Sequence, residues 1–576
     1  MGWGISITAE LDKYRAGQIP GGERKHARIA AARNEWASAQ VFISPPERAV
    51  VTLTGEPHLD WSAQAPRLRV EASNFTPVKG RARASMTPTL SFQGLVPDDS
   101  GTLTADPLLQ AEHTVTQRGE ICPIWVSVFV PAEATPGDYT STISFHLQRR
   151  FQDEEKVGEV KLRLWAARTK LPSPDRYSFH LDLWQHPTSV ARHHGVALWS
   201  DEHFRLLDAY LAPLGALGQK MITLVVSDVP WSGQNGQREV DYPSSVYEHS
   251  IVAARRTPAG RIACDFSRMH RYIAAAQRCG VGPELELFGL LGVWGKDFGH
   301  PIEESADNVR VRLYDEGSGT FRYITTMSDY EAYLRVLFGH LAGRKLLGRS
   351  FVAADEPSQV ELFRKSLAVL KRIEPRIQVR VPAGHLHFME EFLKDVKDWV
   401  PFIDCALAEE TLAAKLRQRV KRLGGRYFWY VCCSPERPNT FLRSPLAETR
   451  LIPWLTRYFG FDGFLRWAYC CFPSDPWRRP RWNWTAGDMF FVYPGAHGGP
   501  VPTVRLEALR AGIQDYELLR LAEREGRKEA VKKAMRRVIK ARSPKDIHPA
   551  RKIAPDRLYA LRDAEVAAAR RTLLEL

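Results

Sequence analysis

Asp355 and Glu356 sit side by side in RSFVAADEPSQ (residues 349–359), after the apolar run Phe351-Val352-Ala353-Ala354 and before Pro357. That order reads as a short strand carrying two carboxylates to its C-terminal end, where a proline stops the ladder and the helical pattern PSQVELFRKSLAVLKRI takes over. Two carboxyls at such a point are candidates for an acid/base pair. Asp355 equally suits a cap on the following helix, and Glu356 the N-terminal dipole of that helix. Position alone leaves the two readings level.

Their company favours chemistry. Aromatic residues gather at the predicted strand ends: Trp184, Trp294, Trp429, Tyr430, Trp467, Tyr469, Trp477 and Tyr493. A sugar ring offers apolar C–H faces and many hydroxyls, so its pocket needs flat platforms beside hydrogen-bonding groups. Any one of these rings is more often core than ligand, but several on one face beside two carboxyls point to a carbohydrate. Glycoside cleavage generally sets two carboxyl groups about 5 to 9 Å apart across the scissile bond. Adjacent strand residues point to opposite faces and serve that arrangement poorly. They suit a different division of labour: one protonates the leaving oxygen while the other orients a 2-acetamido group whose carbonyl oxygen is the nucleophile. The substrate is then an N-acetylhexosamine. His186 in WQHP is a candidate for a sugar hydroxyl or a structural bond, and Asp488 in GDMFFVYPG for hydroxyls or its own turn. His193, His194, His385 and His387 also fall near predicted strand ends or loops.

The elements that must position these residues follow from the patterning. Residues 1–172 alternate with period two between turn signals such as ATPGDY, which predicts two sheets packed face to face as a β-sandwich. After the linker KLPSPDR (170–176), strand and helix patterns alternate. The predicted strands are SFHLDLW, MITLVVS, PELELFGL, SFVAADE, IQVRVPA, IDCALAEE, RYFWYVCC and GFLRWAYC, the count and order of a (β/α)₈ TIM barrel over 173–500. Asp355 and Glu356 end the fourth, at the face where such barrels keep their chemistry. Two long loops, about 228–265 and 291–326, are expected to build the site. Residues 501–576 predict a helical segment packed on the barrel, so the fold class expected is multidomain α/β.

Composition excludes several alternatives. The formal charge is +14, but residues 521–576 carry 16 Lys and Arg against 8 Asp and Glu, so over half of the excess is one solvated helical face and no nucleic-acid partner is expected. No apolar run nears the roughly 20 residues that cross a bilayer, and MGWGISITAELDKYRAG lacks signal-peptide regions, so a cytoplasmic protein without a membrane partner is expected. Among the eight cysteines, Cys432-Cys433 and Cys470-Cys471 are adjacent pairs ill placed for ordinary disulfides, and no zinc spacing occurs. No metal or cofactor is expected; the partner is a glycan or glycoside, with a homodimer as the oligomer to test.

The chain resembles glycoside hydrolase family 123, the β-N-acetylgalactosaminidases. The resemblance is carried by AARNEWASAQVFI (31–43), PIWVSVFVPAEATPGDYTSTI (123–143), FHLDLWQHP (179–187), VAADEP (352–357), YVCCSPERPN (430–439), GFLRWAYCCFPSDPW (463–477), GDMFFVYPG (487–495) and RLEALRAGIQDYELL (505–519). It implies an exo-acting, substrate-assisted retaining hydrolase of terminal β-linked N-acetylhexosamine, N-acetylgalactosamine favoured. Glu356 is then the general acid/base, and Asp355 stabilises the acetamido group. The chain departs from the family pattern at Cys470, where asparagine is expected more often, and in lacking a signal segment. Two other readings stay open: a carbohydrate-binding barrel protein without turnover, and a conventional glycosidase pairing Glu286 with Glu356.

Overall fold

The computed structural model describes residues 2–574, except 19–22, 57–64, 82, 231–246, 293–301, 303–308 and 483. Trp294 therefore lies outside the described residues.

Up to Lys170 every regular element of the described chain is a strand. In Gly137–Gln148 the residues Tyr139, Ser141, Ile143, Phe145 and Leu147 are buried and their neighbours are not, as a strand with one face on a core requires. It belongs to a seven-stranded sheet; a five-stranded sheet carries Gly4–Thr8, Glu35–Ser44, Cys122–Val130, Thr89–Pro97 and Leu103–Leu109 in that order. Ile5, Val41, Ile124 and Phe92 from the second sheet and Leu68, Ile143, Phe145 and Leu162 from the first share one apolar core.

From His180 the strands become short, parallel and separated by helices. Met221–Val225, Glu284–Phe288, Ser350–Ala353, Gln378–Ala383, Asp398–Pro401 and Arg426–Tyr427 form one parallel sheet in chain order. His180–Leu183 pairs in parallel with Gly463–Arg466 as a second sheet. Isolated parallel bridges Leu181↔Gln219 and Tyr430↔Leu465 link the edges of the two.

One predicted strand is a helix. Ile403–Ala408, within IDCALAEE, is helical, and the strand is Asp398–Pro401, placed by sequence at the end of a long helix that actually covers only Leu386–Glu391. A short apolar run does not distinguish strand from buried helix, and Ile403 and Leu407, four residues apart, share a buried helical face.

The inward-facing residues form layers at period two. His180, Glu284 and Arg426 make the lowest, with Arg426 on Glu284 at 2.7 Å and His180 on the same carboxylate at 3.1 Å. Above them Arg380 reaches Asp182 at 2.9 Å, Asp398 at 3.3 Å and Glu286 at 3.5 Å, all with fully buried side chains. Burial, with Asp182 close by, pushes the Glu286 carboxyl well above its usual range, and burial raises Asp182 to about 6. Two residues further along their strands stand Trp184, Phe288 and Val400, which belong with Phe428 and Leu465 to a separate apolar cluster that also holds Ala353 and Tyr430.

The two long loops fold onto each other. Ala253–Arg256 pairs with Ile262–Asp265 and, in parallel, with Arg312–Asp315, which continues to Thr320–Tyr323 as a four-stranded sheet. The helix Val504–Arg524 is buried along most of its length. From it Arg505 clasps Asp106 of the N-terminal sheets at 2.8 and 2.9 Å, and Tyr493 donates to the same carboxylate at 2.9 Å. Arg570 joins Asp515 to Glu35 nearby. Among the described residues no helix is long and apolar enough to cross a membrane.

Candidate active site

The strand Ser350–Ala353 stops two residues before Asp355, so strand alternation does not dictate where the two carboxylates point. Ala354 still donates to the Arg380 carbonyl at 3.2 Å, and Asp355 N–H turns to the Gly292 carbonyl at 3.4 Å. Gly292 has φ +58, and a Cβ there would meet the Ala354 Cβ at 2.8 Å, so glycine permits this close approach. Glu356 then adopts φ +46, a left-handed conformation that costs a non-glycine residue on the order of 1 kcal/mol or more and marks functional sites. The following helix begins at Val360 with Gln359 as its cap residue, so Asp355 is not that cap.

Both acids line one pocket, with about 510 Å³ of unfilled space partly open to solvent. Trp184, Tyr430 and Trp467 line it with them. The Tyr430 hydroxyl donates to Glu356 Oε1. Burial pushes the Glu356 carboxyl up from its ordinary value, while the Tyr430 bond and the charge of His385 pull it down. Burial and the neighbouring carboxylate hold the Tyr430 phenol well above its usual range, so it remains a donor.

The other expected residues lie behind the wall or away from it. Asp488 is buried, accepts Arg466 Nη2 at 2.6 Å and Trp467 Nε1 at 3.2 Å, and thereby fixes the Trp467 ring. His186 is fully buried with its ring edge-on to Trp467, 6.3 Å between centroids. Tyr469 donates to the Tyr210 carbonyl at 3.1 Å, and Tyr493 is taken by Asp106. Trp477 donates to the Pro494 carbonyl at 3.0 Å and packs on Tyr493. None of these five lines the pocket. Glu286 belongs to the ionic layer with Arg380 and does not line the pocket either.

Trp484, Pro382, Leu465, Cys432 and Cys433 line the pocket without having been singled out as site residues. The cysteines stand in YVCCSPERPN, and Trp484 in the aromatic run RWNW, whose density was the available signal. The Trp484 ring packs at 5.4 Å on Trp467 and so widens the aromatic wall.

The sequence profile described as "Glycoside hydrolase 123, catalytic domain" matches residues 184–522, more than half of the chain. Curated protein sequences give no significant match. Among solved structures the chain is similar to a family 123 glycoside hydrolase from Clostridium perfringens, studied for glycolipid glycan hydrolysis, at 15% identity and TM-score 0.77 over 99% of both chains. A cyclomaltodextrinase overlaps 84% of this chain and 82% of its own at 8% identity and TM-score 0.31.

Proposed function

Because the chain belongs to glycoside hydrolase family 123, we propose that it releases terminal β-linked N-acetylhexosamine, N-acetylgalactosamine in preference, by substrate-assisted retaining hydrolysis. The observation that carries this reading is the pair of adjacent carboxylates in one aromatic-walled pocket, with Glu356 held by the Tyr430 hydroxyl.

In this mechanism Glu356, protonated, gives its proton to the glycosidic oxygen as the bond to C1 breaks. The acetamido carbonyl oxygen closes on C1 from the opposite face, and Asp355, ionised, accepts the amide N–H and balances the positive charge of the ring that forms. Glu356, now a carboxylate, takes a proton from water, whose oxygen opens the ring at C1 and restores the original configuration. A raised Glu356 suits it to the first step, and the Tyr430 bond supports the ionised form needed for the second. Trp184, Trp467 and Trp484 supply flat apolar surface for the sugar.

The fold reading accompanies the function: the two parallel sheets act as one (β/α)₈ barrel, supported by the bridges Leu181↔Gln219 and Tyr430↔Leu465 at their edges. The division at about 172 and 500 is supported by the change from sheets to alternating elements and by the long helix from Val504.

The test is a set of 4-nitrophenyl glycosides. The β-GalNAc compound should turn over and the β-galactoside should not; equal rates on both would refute acetamido participation. A thiazoline mimic of the cyclised intermediate should inhibit competitively, about 10²-fold or more tighter than substrate binds.

A further inference from the structure

Cys432 and Cys433 stand together on the pocket wall, with Sγ atoms 3.8 Å apart. That distance is far too long for a disulfide, which needs about 2.05 Å between sulfurs. It matches another chemistry. A tetrahedral cation bonded to two thiolates at about 2.3 Å holds the two sulfurs about 3.8 Å apart, so this pair needs no rearrangement to chelate one. We propose that Cys432 and Cys433 form a two-thiolate site for a soft divalent cation of the zinc or cadmium kind, and that the bound cation blocks the pocket against a glycan.

Two further observations support it. Cys433 is exposed and Cys432 half-buried, so a cation reaches the pair from solvent through the pocket. Asp355 and Glu356 line the same pocket, so the cation enters beside two carboxyl groups. Binding then forms two metal–sulfur bonds and releases the two thiol protons to solvent, with no change of oxidation state. Among the described residues no cluster of three or more histidine, cysteine or acidic side chains could hold a metal ion, so water completes the coordination. The site is inhibitory rather than structural. Thiolates select soft cations, and magnesium is not retained.

The binding half stands on the thiol geometry alone; the blocking half rests on the glycan reading of the pocket. The full chain, free of substrate, is titrated with Cd²⁺ and followed by thiolate-to-cadmium absorption. One site is expected whose affinity falls at least about tenfold in Cys432→Ser and in Cys433→Ser. On the unaltered chain Cd²⁺ should protect both cysteines from iodoacetamide, read by peptide mass spectrometry, which decides the matter if a variant does not fold. Unchanged alkylation at the pair, or wild-type affinity in the double serine variant, overturns the site. Hydrolysis of an aryl N-acetylhexosaminide should be inhibited competitively by Cd²⁺ and Zn²⁺ and not by Mg²⁺. Cd²⁺ bound at the pair without inhibition overturns the blocking half, and a chain inactive on every 2-acetamido glycoside overturns the glycan reading while the titration still judges the site.

Discussion

Tyr430 and Glu356 share one hydrogen bond, and that bond makes the roles of the two acids separable. Replacing Tyr430 by phenylalanine removes an interaction that favours the ionised form of Glu356, so the already raised carboxyl rises further. In the proposed mechanism Glu356 starts the cycle protonated, so the basic limb of the kcat/KM profile should move to higher pH in Tyr430→Phe; a limb that stays put or moves down would contradict the acid role. Glu356→Gln should lose most activity on poor leaving groups and far less on activated aryl glycosides, where protonation matters little. Asp355→Asn should lose on the order of 10²-fold or more with either kind of leaving group, because ring closure itself is impaired. Leaving-group dependence shared by both variants would show that the assignment is wrong. The alternative duty of Asp355 as a helix cap fails on position, since the helix begins at Val360 and Gln359 stands at its cap.

Elements decide how much of this was readable from residues alone. The strand ending at Ala353 and the acids beyond it were legible, because an apolar run meeting Asp-Glu-Pro leaves little freedom. The turn at Glu356 was not: the chain there takes a positive φ just after the close contact of Ala354 with Gly292, which arrives from a loop far earlier in the chain. Aromatic density found the wall of Trp184, Tyr430 and Trp467, but it could not separate them from Tyr469, Trp477 and Tyr493, whose polar atoms are spent on backbone carbonyls and Asp106. Nothing in local spacing distinguishes a ring that faces a pocket from one that faces a helix. The contact of Gly292 with Ala354 gives a test at this scale. Gly292→Ala should push the end of the strand and displace Asp355, with kcat/KM falling by about tenfold or more and the melting temperature changing much less. An unchanged kcat/KM would mean that the carboxylate pair tolerates the shift.

At the scale of the whole molecule, the N-terminal sheets are joined to the rest by buried charges. Asp106→Ala leaves Arg505 fully buried without its carboxylate and Tyr493 without its acceptor, a loss of about 3 to 5 kcal/mol, visible as a lower melting temperature of the entire chain. Residues 173–576 expressed alone should be poorly soluble or inactive; a stable, fully active fragment would make the N-terminal sheets an independent module. The same pairing has a consequence in time. His180–Leu183 lies against Gly463–Arg466, and Glu35 is neutralised by Arg570. A ribosome adding about 5 to 20 residues per second therefore leaves His180–Leu183 without that neighbour for tens of seconds, and Glu35 without its cation for longer still. A nascent chain halted short of residue 463 should be cleaved by protease near residue 180, and one released at full length should not.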